Sequence, residues 1–486
     1  MERIRPGRSW PLFDTAASRA IEQACAASLP SHTLMQRAGL AVARLALAIA
    51  PHARTIWVAC GPGNNGGDGL EAACHLRAWG KDPVVTWAGE QAKAPADALA
   101  SLHRAQALNV RFSDQVPAEW DLAIDAMLGL GAGRPLEGLL AQWRTVMAAG
   151  AGRPVLAVDL PSGLNADTGN GSAVLATHTL SLLTLKPGLF TAAGRDAAGE
   201  IWFDDLGCGG SKSEPGAMLA GAPSPRVRPH ASHKGSYGDV AVIGGAAGMS
   251  GAVLLAATAA LHAGAGRVFA CLLAGPPLPY DSAQPGLMFR PWESLELGPM
   301  AVACGCGGGD AVRAVLPAAL SKAGSLVLDA DALNAIAADT QLQALLQARS
   351  RRGRATVITP HPLEAARLLG SAAAAVQADR LAACKELVAR FGCVVVLKGS
   401  GTVTAGPGQV PRINPTGNAR LATAGTGDVL AGLIAARLAA GSTAFDAAAE
   451  AVYAHGQAAD RWPAGRALTA FDLARAAGWD EAPNPD

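Results

Sequence analysis

The sequence predicts an α/β protein: two tandem three-layer domains, each built on a mostly parallel sheet. Three observations carry this. Short apolar runs rich in β-branched residues alternate with longer helical patterns, as expected of parallel strands buried on both faces. The chain has 486 residues, enough for two or three domains of roughly 100–200 residues. The alternation also stops and restarts around 207–229, GCGGSKSEPGAMLAGAPSPRVRP, which is rich in Gly, Pro and Ser and has no period. The expected division is a first domain at 10–210, a linker at 211–229 and a second domain at 230–480.

Taken in order, the first series of strands is TIWVACG (55–61), DPVVTWAG (82–89), LAIDAML (122–128), PVLAVDL (154–160) and HTLSLLTLK (178–186). Helices are expected between them, at 66–80 and 136–150. The second series is DVAVIGG (239–245), GRVFACLL (266–273), MAVACG (300–305), SLVLDAD (325–331), TVITP (356–360) and CVVVLKG (393–399). Helices at 429–440 and 444–460 close the pattern. The apolar run 251–261 is too short and too interrupted to cross a bilayer and reads as a buried helix entering a turn and strand.

Composition narrows the function. Net charge is +1, from 40 basic and 39 acidic residues, so no basic field exists to hold nucleic acid or anchor a membrane. The partners expected are small molecules, in a homo-oligomer. The opening MERIRPGRSWPLFD has charges but no apolar run, so no signal peptide is expected. Nine cysteines are scattered without a CxxC, which predicts reduced thiols in a cytoplasmic protein.

Ligands of open parallel sheets bind at the carboxyl ends of strands, and the polar motifs fall there. GPGNNGGDG (61–69) follows the first strand, its glycines allowing close backbone approach and positive φ. Asp125 ends LAIDAMLG, and GLGAGRP (129–135) follows. Asp159 and Ser162 follow the next strand, and Lys186 the next. Oxygen-rich groups without His or Cys suit a hard cation rather than zinc. In the second half, ACGCGGGD (303–310), LDADALN (328–334), TPHPLEA (359–365) and LKGSGTV (397–403) occupy strand ends. LKGSGT alone also reads as a hairpin turn, His361 as a structural loop residue, and Asp329 and Asp331 as caps of a helix near Ala332. TAGTGD (423–428) sets Asp428 at a helix N-terminus beside free N–H groups. A carboxylate held ionised there can take a proton from a hydroxyl while the amides stabilise a transferring phosphoryl.

GNNGGDGLEAACHL, DAMLGLGAGRPL, AVDLPSGLNADTG and LTLKPG resemble the NAD(P)H-hydrate epimerase domain, with a Rossmann-like fold. The resemblance implies that Asn64, Asn65, Gly66, Gly67 and Asp68, then Gly129, Leu130, Gly131, Ala132, Gly133, Arg134 and Pro135, then Asp159 hold the hydrated dinucleotide. It implies potassium at Asn65, Asp125 and Ser162. Asp159 is the expected acid–base group, with Lys186 as its partner. HKGSYGDVAVIGG, LDADALN, TPHPLEAARLLG, LKGSGTV and NPTGNARLATAGTGDVLAGLIAA resemble the ADP-dependent NAD(P)H-hydrate dehydratase domain, a ribokinase-like fold. There the resemblance implies that Lys398, Gly399, Ser400, Gly401, Thr402 and Gly427 contact the nucleotide. Ala252, Gly307, His361 and Asp428 would contact the hydrate, with Asp428 the base and a magnesium ion across the phosphates of ADP. Leu363 and Cys306 depart from the family pattern, which often has glycine and proline at these positions. The implied function is repair of hydrated NADH and NADPH (NADHX and NADPHX): epimerisation of the R and S forms at C6, and ADP-dependent dehydration of the S form. A ribokinase-like small-molecule kinase fused to a non-catalytic dinucleotide-binding domain is the other reading.

Overall fold

The computed structural model describes residues 1–130, 135–150, 152–209, 213–225, 228–275 and 280–478. The chain forms two compact units, Met1–Arg5 with Trp10–Met218, and Pro6–Ser9 with Leu219–Asp486. In chain order the strands of the first unit are β1 (Glu2–Arg3), β2 (Trp10–Leu12), β3 (Thr55–Cys60), β4 (Asp82–Trp87), β5 (Arg111–Phe112), β6 (Leu122–Ala126), β7 (Val155–Val158), β8 (His178–Leu182) and β9 (Glu200–Asp204). The short strand β10 (Ala217–Leu219) straddles the division.

The first unit's sheet runs β1-β9-β8-β7-β6-β3-β4-β5 and is parallel except for β1. Alternate residues face opposite sides of a strand, and both sides here are apolar. Val58, Ile124 and Leu156 enter one core, Trp57, Ala123 and Ala157 the other. This is why the strands read as continuous hydrophobic runs. Strand order reverses between β3 and β6, and the loops leaving that switch point carry the polar motifs.

The second unit contains β11 (Asp239–Gly244), β12 (Arg267–Leu272), β13 (Met288–Phe289), β14 (Ala301–Cys304), β15 (Ser325–Leu328), β16 (Thr356–Ile358), β17 (Val394–Leu397), β18 (Val403–Ala405) and β19 (Arg412–Ile413). Their order is β13-β12-β11-β14-β15-β16-β17-β18-β19, parallel as far as β17 and antiparallel beyond. Helices Ser250–His262 and Thr426–Ala439 are apolar through their middle turns and pack on each other and on this sheet. Gly432 lets them meet: a Cβ there would overlap the Ala256 carbonyl. Arg349 is buried without a carboxylate partner among the described residues. Its guanidinium holds Thr356 Oγ1 at 2.8 Å and the carbonyls of Ala323, Gly324 and Ala355 at 2.6–3.2 Å, and burial pushes its pKa down to about 10.

Three expectations are corrected. The expectation of all-reduced cysteines fails at Cys25 and Cys208, which form a disulfide 183 residues apart; the other seven cysteines are free and buried. The glycines of GPGNNGGDG do not serve positive φ. The helix begins at Asn64 and none of Gly61, Gly63, Gly66, Gly67 or Gly69 is left-handed. They serve close packing instead: a Cβ on Gly67 would stand 2.6 Å from Met35 Sδ, and one on Gly69 2.6 Å from Ala126 Cβ. Asp329 does not cap a helix with its side chain, because that carboxylate is drawn to a lysine, as described next.

Candidate active sites

Parallel pairing puts the ends of β3, β6, β7 and β8 side by side, so the loops after them share one rim of the first sheet. Asp125 is fully buried within β6, paired in register with Ala59 and Ala157. It accepts from Ser162 N at 2.8 Å, Ser162 Oγ at 2.6 Å and Met127 N at 3.3 Å. Burial nonetheless pushes its carboxyl up to about 6, since three hydrogen bonds only partly replace water. Ser162 Oγ also accepts from Leu128 N at 2.8 Å, tying the loop after β6 to the loop after β7. Asn65 faces the same loop: a Cβ on Gly129 would lie 3.0 Å from its Oδ1, and its Nδ2 is buried without a partner among the described residues. The sequence-predicted set Asn65, Asp125 and Ser162 thus belongs to one rim. Amide oxygen and nitrogen are interchangeable by rotation, so Asn65 can present an oxygen where the orphaned nitrogen now sits.

Asp159 stands just past β7 at φ 66°, a left-handed position uncommon for a side-chain-bearing residue. Leu183, just past β8, has φ 61°. The two reversals turn Asp159 and Lys186 toward each other. Lys186 is completely buried and donates to Asp159 Oδ1, to Leu182 O at 2.8 Å and to Ser181 Oγ at 3.4 Å. Leu182 N donates to the same aspartate oxygen at 3.1 Å. Asp68 lies close enough to this pair for Asp159 to matter. Burial first, then the charges of Asp159 and Glu22, push its carboxyl well above the usual range. The first helical bond of Asn64–Ala78 is Gly67 N to Gly63 O, so the amides of Asn64, Asn65 and Gly66 precede any helical acceptor. Leu130 and Pro135 lie in the loop after β6, whereas Gly131, Ala132, Gly133 and Arg134 lie outside the described residues.

In the second unit the ends of β14, β15, β16 and β17 converge on the N-terminus of helix Thr426–Ala439. Gly425 opens that helix at φ 89°, and the first helical bond is Val429 N to Gly425 O at 3.1 Å. The amides of Thr426, Gly427 and Asp428 therefore have no helical acceptor. Asp428 sits on this first turn. Cys306, Asp329 and Asp428 bring a sulfur and two carboxylate oxygens within 4.8 Å of one another. Burial, with Asp329 beside it, raises Asp428 to about 6, while the Cys306 S–H that it accepts and the Lys398 charge oppose the rise. Desolvation is the largest influence on this carboxyl. Burial and the two carboxylates push the Cys306 thiol far up, so it is a hydrogen-bond donor and not a preformed soft-metal ligand.

Lys398, at the end of β17, bonds Asp329 Oδ1 at 2.6 Å and lies 4.0 Å from Glu364. Gly427 backs directly onto it: a Cβ there would lie 3.3 Å from the ammonium nitrogen. Gly399, Ser400, Gly401 and Thr402 form the turn joining antiparallel β17 and β18, closed by Thr402 Oγ1 to Gly399 O at 3.0 Å. The hairpin reading of this loop and its neighbourhood to Asp428 hold together. Gly307 (φ 55°) and Ala252 meet: a Cβ on Gly307 would stand 2.9 Å from that of Ala252. His361 caps its own helix, Nδ1 accepting from Leu363 N at 3.0 Å and Glu364 N at 3.3 Å, while its backbone N–H donates to Glu364. Burial and Lys398 lower its pKa.

Two supports escaped sequence reading. Buried Arg380 donates to Leu397 O and Lys398 O, both at 3.1 Å, and a Cβ on Gly399 would stand 2.9 Å from its guanidinium. It fixes the turn from behind, and only its place beside Asp379 at a helix start hinted at order there. Glu364 lies under His361 and Lys398, its carboxyl raised to about 6 by burial.

Each half of the chain has a family. Residues 31–188 match the family described as YjeF-related protein N-terminus, and residues 240–477 match NAD(P)H-hydrate dehydratase. The chain is 38% identical over 459 residues to the bifunctional NAD(P)H-hydrate repair enzyme Nnr of Escherichia coli, covering 90% of this chain and 87% of that one. It is 34% identical to the enzyme of the same name from Coxiella burnetii, with 93% and 94% covered. The ADP-dependent (S)-NAD(P)H-hydrate dehydratase of Neisseria meningitidis is 43% identical over 265 residues, 52% of this chain and 88% of that one. A Bacillus subtilis ADP/ATP-dependent NAD(P)H-hydrate dehydratase co-crystallised with ATP and Mg2+ is 30% identical over 52% of this chain and 92% of that one, with a TM-score of 0.43. The chain belongs to the bifunctional NAD(P)H-hydrate repair enzyme family.

Proposed function

We propose that the chain restores hydrated NADH and NADPH in two steps, each in its own unit: the first interconverts the R and S hydrates at C6, the second dehydrates the S form at the expense of ADP. Family membership over nine-tenths of the chain supports this. The observation that carries it is the grouping of Asp428, Asp329, Cys306 and Lys398 at a helix N-terminus in the second unit, with Asp125, Asp159 and Lys186 on the sheet rim in the first. The reading of a kinase fused to an inert binding domain is not favoured by relatives that span both halves under one bifunctional name.

In the second unit, Asp428 takes the proton of the C6 hydroxyl as that oxygen attacks the β-phosphorus of ADP, releasing AMP. The amides of Thr426 to Asp428 and the Lys398 ammonium face the charge that develops. The ring nitrogen then expels phosphate and the double bond returns. Lys398, Gly399, Ser400, Gly401, Thr402 and Gly427 would hold the nucleotide, and Ala252, Gly307 and His361 the hydrate. Magnesium supplies charge neutralisation on the phosphates when bound; phosphate oxygens and Asp329, a hard carboxylate, suit it better than the Cys306 thiol.

In the first unit, Asn64 to Asp68, Gly129 to Pro135 and Asp159 would hold the dinucleotide. Asn65, Asp125 and Ser162 fit a potassium ion: all offer oxygen, and the Asn65 amide nitrogen lacks a partner among the described residues, leaving the amide free to turn its oxygen to that place. A homo-oligomer is supported by helix Gly138–Ala149, where Leu139 and Val146 lie exposed about two turns apart on one face. A cytoplasmic location is supported by the soluble substrates, while the Cys25–Cys208 disulfide is a feature rare in that compartment.

Incubating the chain with separated R and S hydrates of NADH and with ADP tests the reading. ADP-dependent return of NADH absorbance from both forms is expected. Return from the S form alone removes the epimerase; phosphorylation of an unrelated alcohol with no return removes the dehydratase.

A further inference from the structure

A carbon inverted by breaking and re-forming a bond to a heteroatom needs two proton-handling groups, one for each face. Asp159 is one. Lys186 does not fill the second role, because an ammonium has three donors and all three are spent on Asp159 Oδ1, Leu182 O and Ser181 Oγ. It has no proton left to aim at a ligand.

Helix Thr15–Ala27 lies over this pair. Its start is fixed by Thr15 N and Oγ1, which donate to Asp167 at 2.7 and 2.9 Å. One turn on, buried Ser18 Oγ bonds Thr184 Oγ1 at 2.8 Å, in the short loop between β8 and Lys186. Residues four apart share a helix face, so Glu22 follows Ser18 onto the side turned toward Lys186 and Asp159. Glu22 is half-buried there.

We infer that Glu22 is the second proton-handling group of the first unit, acting opposite Asp159. This rests on the epimerase reading above. The ring nitrogen lone pair expels the C6 hydroxyl, which leaves as water with the proton given by Glu22. A second water then adds to the opposite face of C6 and gives a proton to Asp159, returning the electron pair to the ring nitrogen. One water leaves and one enters, so the composition and oxidation state of the substrate are unchanged, and the proton returns from Asp159 to Glu22 before the next turn. The charges facing Glu22 are Asp159 and Lys186 from the strand ends, Asp68 from helix Asn64–Ala78 and Arg19 from its own helix. Burial first, then Asp159, raise the Glu22 carboxyl, against Lys186 and Arg19, which suits a donor set beside an ion-paired carboxylate.

The test uses the full chain and R hydrate, with the epimers separated by chromatography and the ADP-dependent step on S hydrate as an internal measure of folding. Glu22→Gln should lower kcat for R-to-S conversion about 100-fold, a usual size for one acid–base group, with KM little changed and S-hydrate dehydration at the wild-type rate. Glu22→Asp should retain part of the rate, and its alkaline limb should move to lower pH because the shorter acid ionises sooner. An unchanged kcat in Glu22→Gln, a loss confined to KM, or an unmoved alkaline limb in Glu22→Asp overturns the inference. A wild-type chain that leaves R hydrate unconverted overturns the epimerase reading and this inference together.

Discussion

At the residue scale, the second unit turns on Asp428. Its carboxyl must be charged to accept a proton, and burial sets its pKa at about 6. Dehydration should therefore fall as pH drops through about 6 and level off above it, in initial rates of NADH recovery from S hydrate. Asp428→Asn should lower that rate by about 100-fold or more at pH 7.5, with ADP affinity little changed. Full activity in this variant would remove the base. Arg380→Met should act differently. It removes the two hydrogen bonds that a buried cation gives to the turn, each commonly ~1.5–3 kcal/mol, together with one to Gln377, and loosens the Lys398–Thr402 turn. The KM for ADP should rise at least about tenfold with kcat largely kept; an unchanged KM would mean that the turn holds itself. Asp428 and Lys398 were legible because glycines and a lone charge at a strand or helix end are unusual together. Arg380 was not, because its partners in the turn are backbone carbonyls about 17 residues away in sequence, and carbonyls leave no trace in composition. Nor was the pairing of Asp329 with Lys398, 69 residues apart, which took the carboxylate away from the helix it was expected to cap.

At the element scale, strands flanked by apolar layers on both faces were plain in the sequence, since burial on both sides demands unbroken Val, Ile, Leu and Ala. β18 and β19, of three and two residues, were not, because a run that short has no period to read. Helix Asn64–Ala78 shows where local rules mislead. Glycine weakens helices by ~0.5–1 kcal/mol each, so the sequence places the helix start at 66, whereas it begins at Asn64 with three glycines in its first two turns. The tertiary structure overrides this because only glycine lets the helix sit against β3, β6 and Met35. Gly66→Ala should confirm it: the new Cβ would run into the Gly61 carbonyl, and overpacking of this kind costs about 1–3 kcal/mol. Thermal melting of the variant should show the first unit unfolding earlier, with R-to-S conversion reduced and S-hydrate dehydration intact. A wild-type melt would mean that the helix start can shift at no cost. The disulfide between Cys25 and Cys208 escaped for a different reason: connectivity across 183 residues depends on a fold that cysteine spacing alone does not encode.

At the scale of the whole molecule, two open α/β units carry separate sites on carboxyl-end rims, and each rim has its own aspartate at the centre. Asp159→Asn should stop R-to-S conversion and spare dehydration of the S form, while Asp428→Asn should do the reverse. Replacing potassium by tetramethylammonium in the buffer should slow only the first step, because Asn65, Asp125 and Ser162 all belong to the first unit; equal slowing of both would place the ion's effect elsewhere. The most direct measurement follows absorbance at the NADH band after ADP is added to a mixed R and S hydrate sample containing the wild-type chain. Recovery of the whole of the NADH, well ahead of spontaneous epimerisation, is the expected result. Recovery that halts when the S portion is spent contradicts two working sites in one chain.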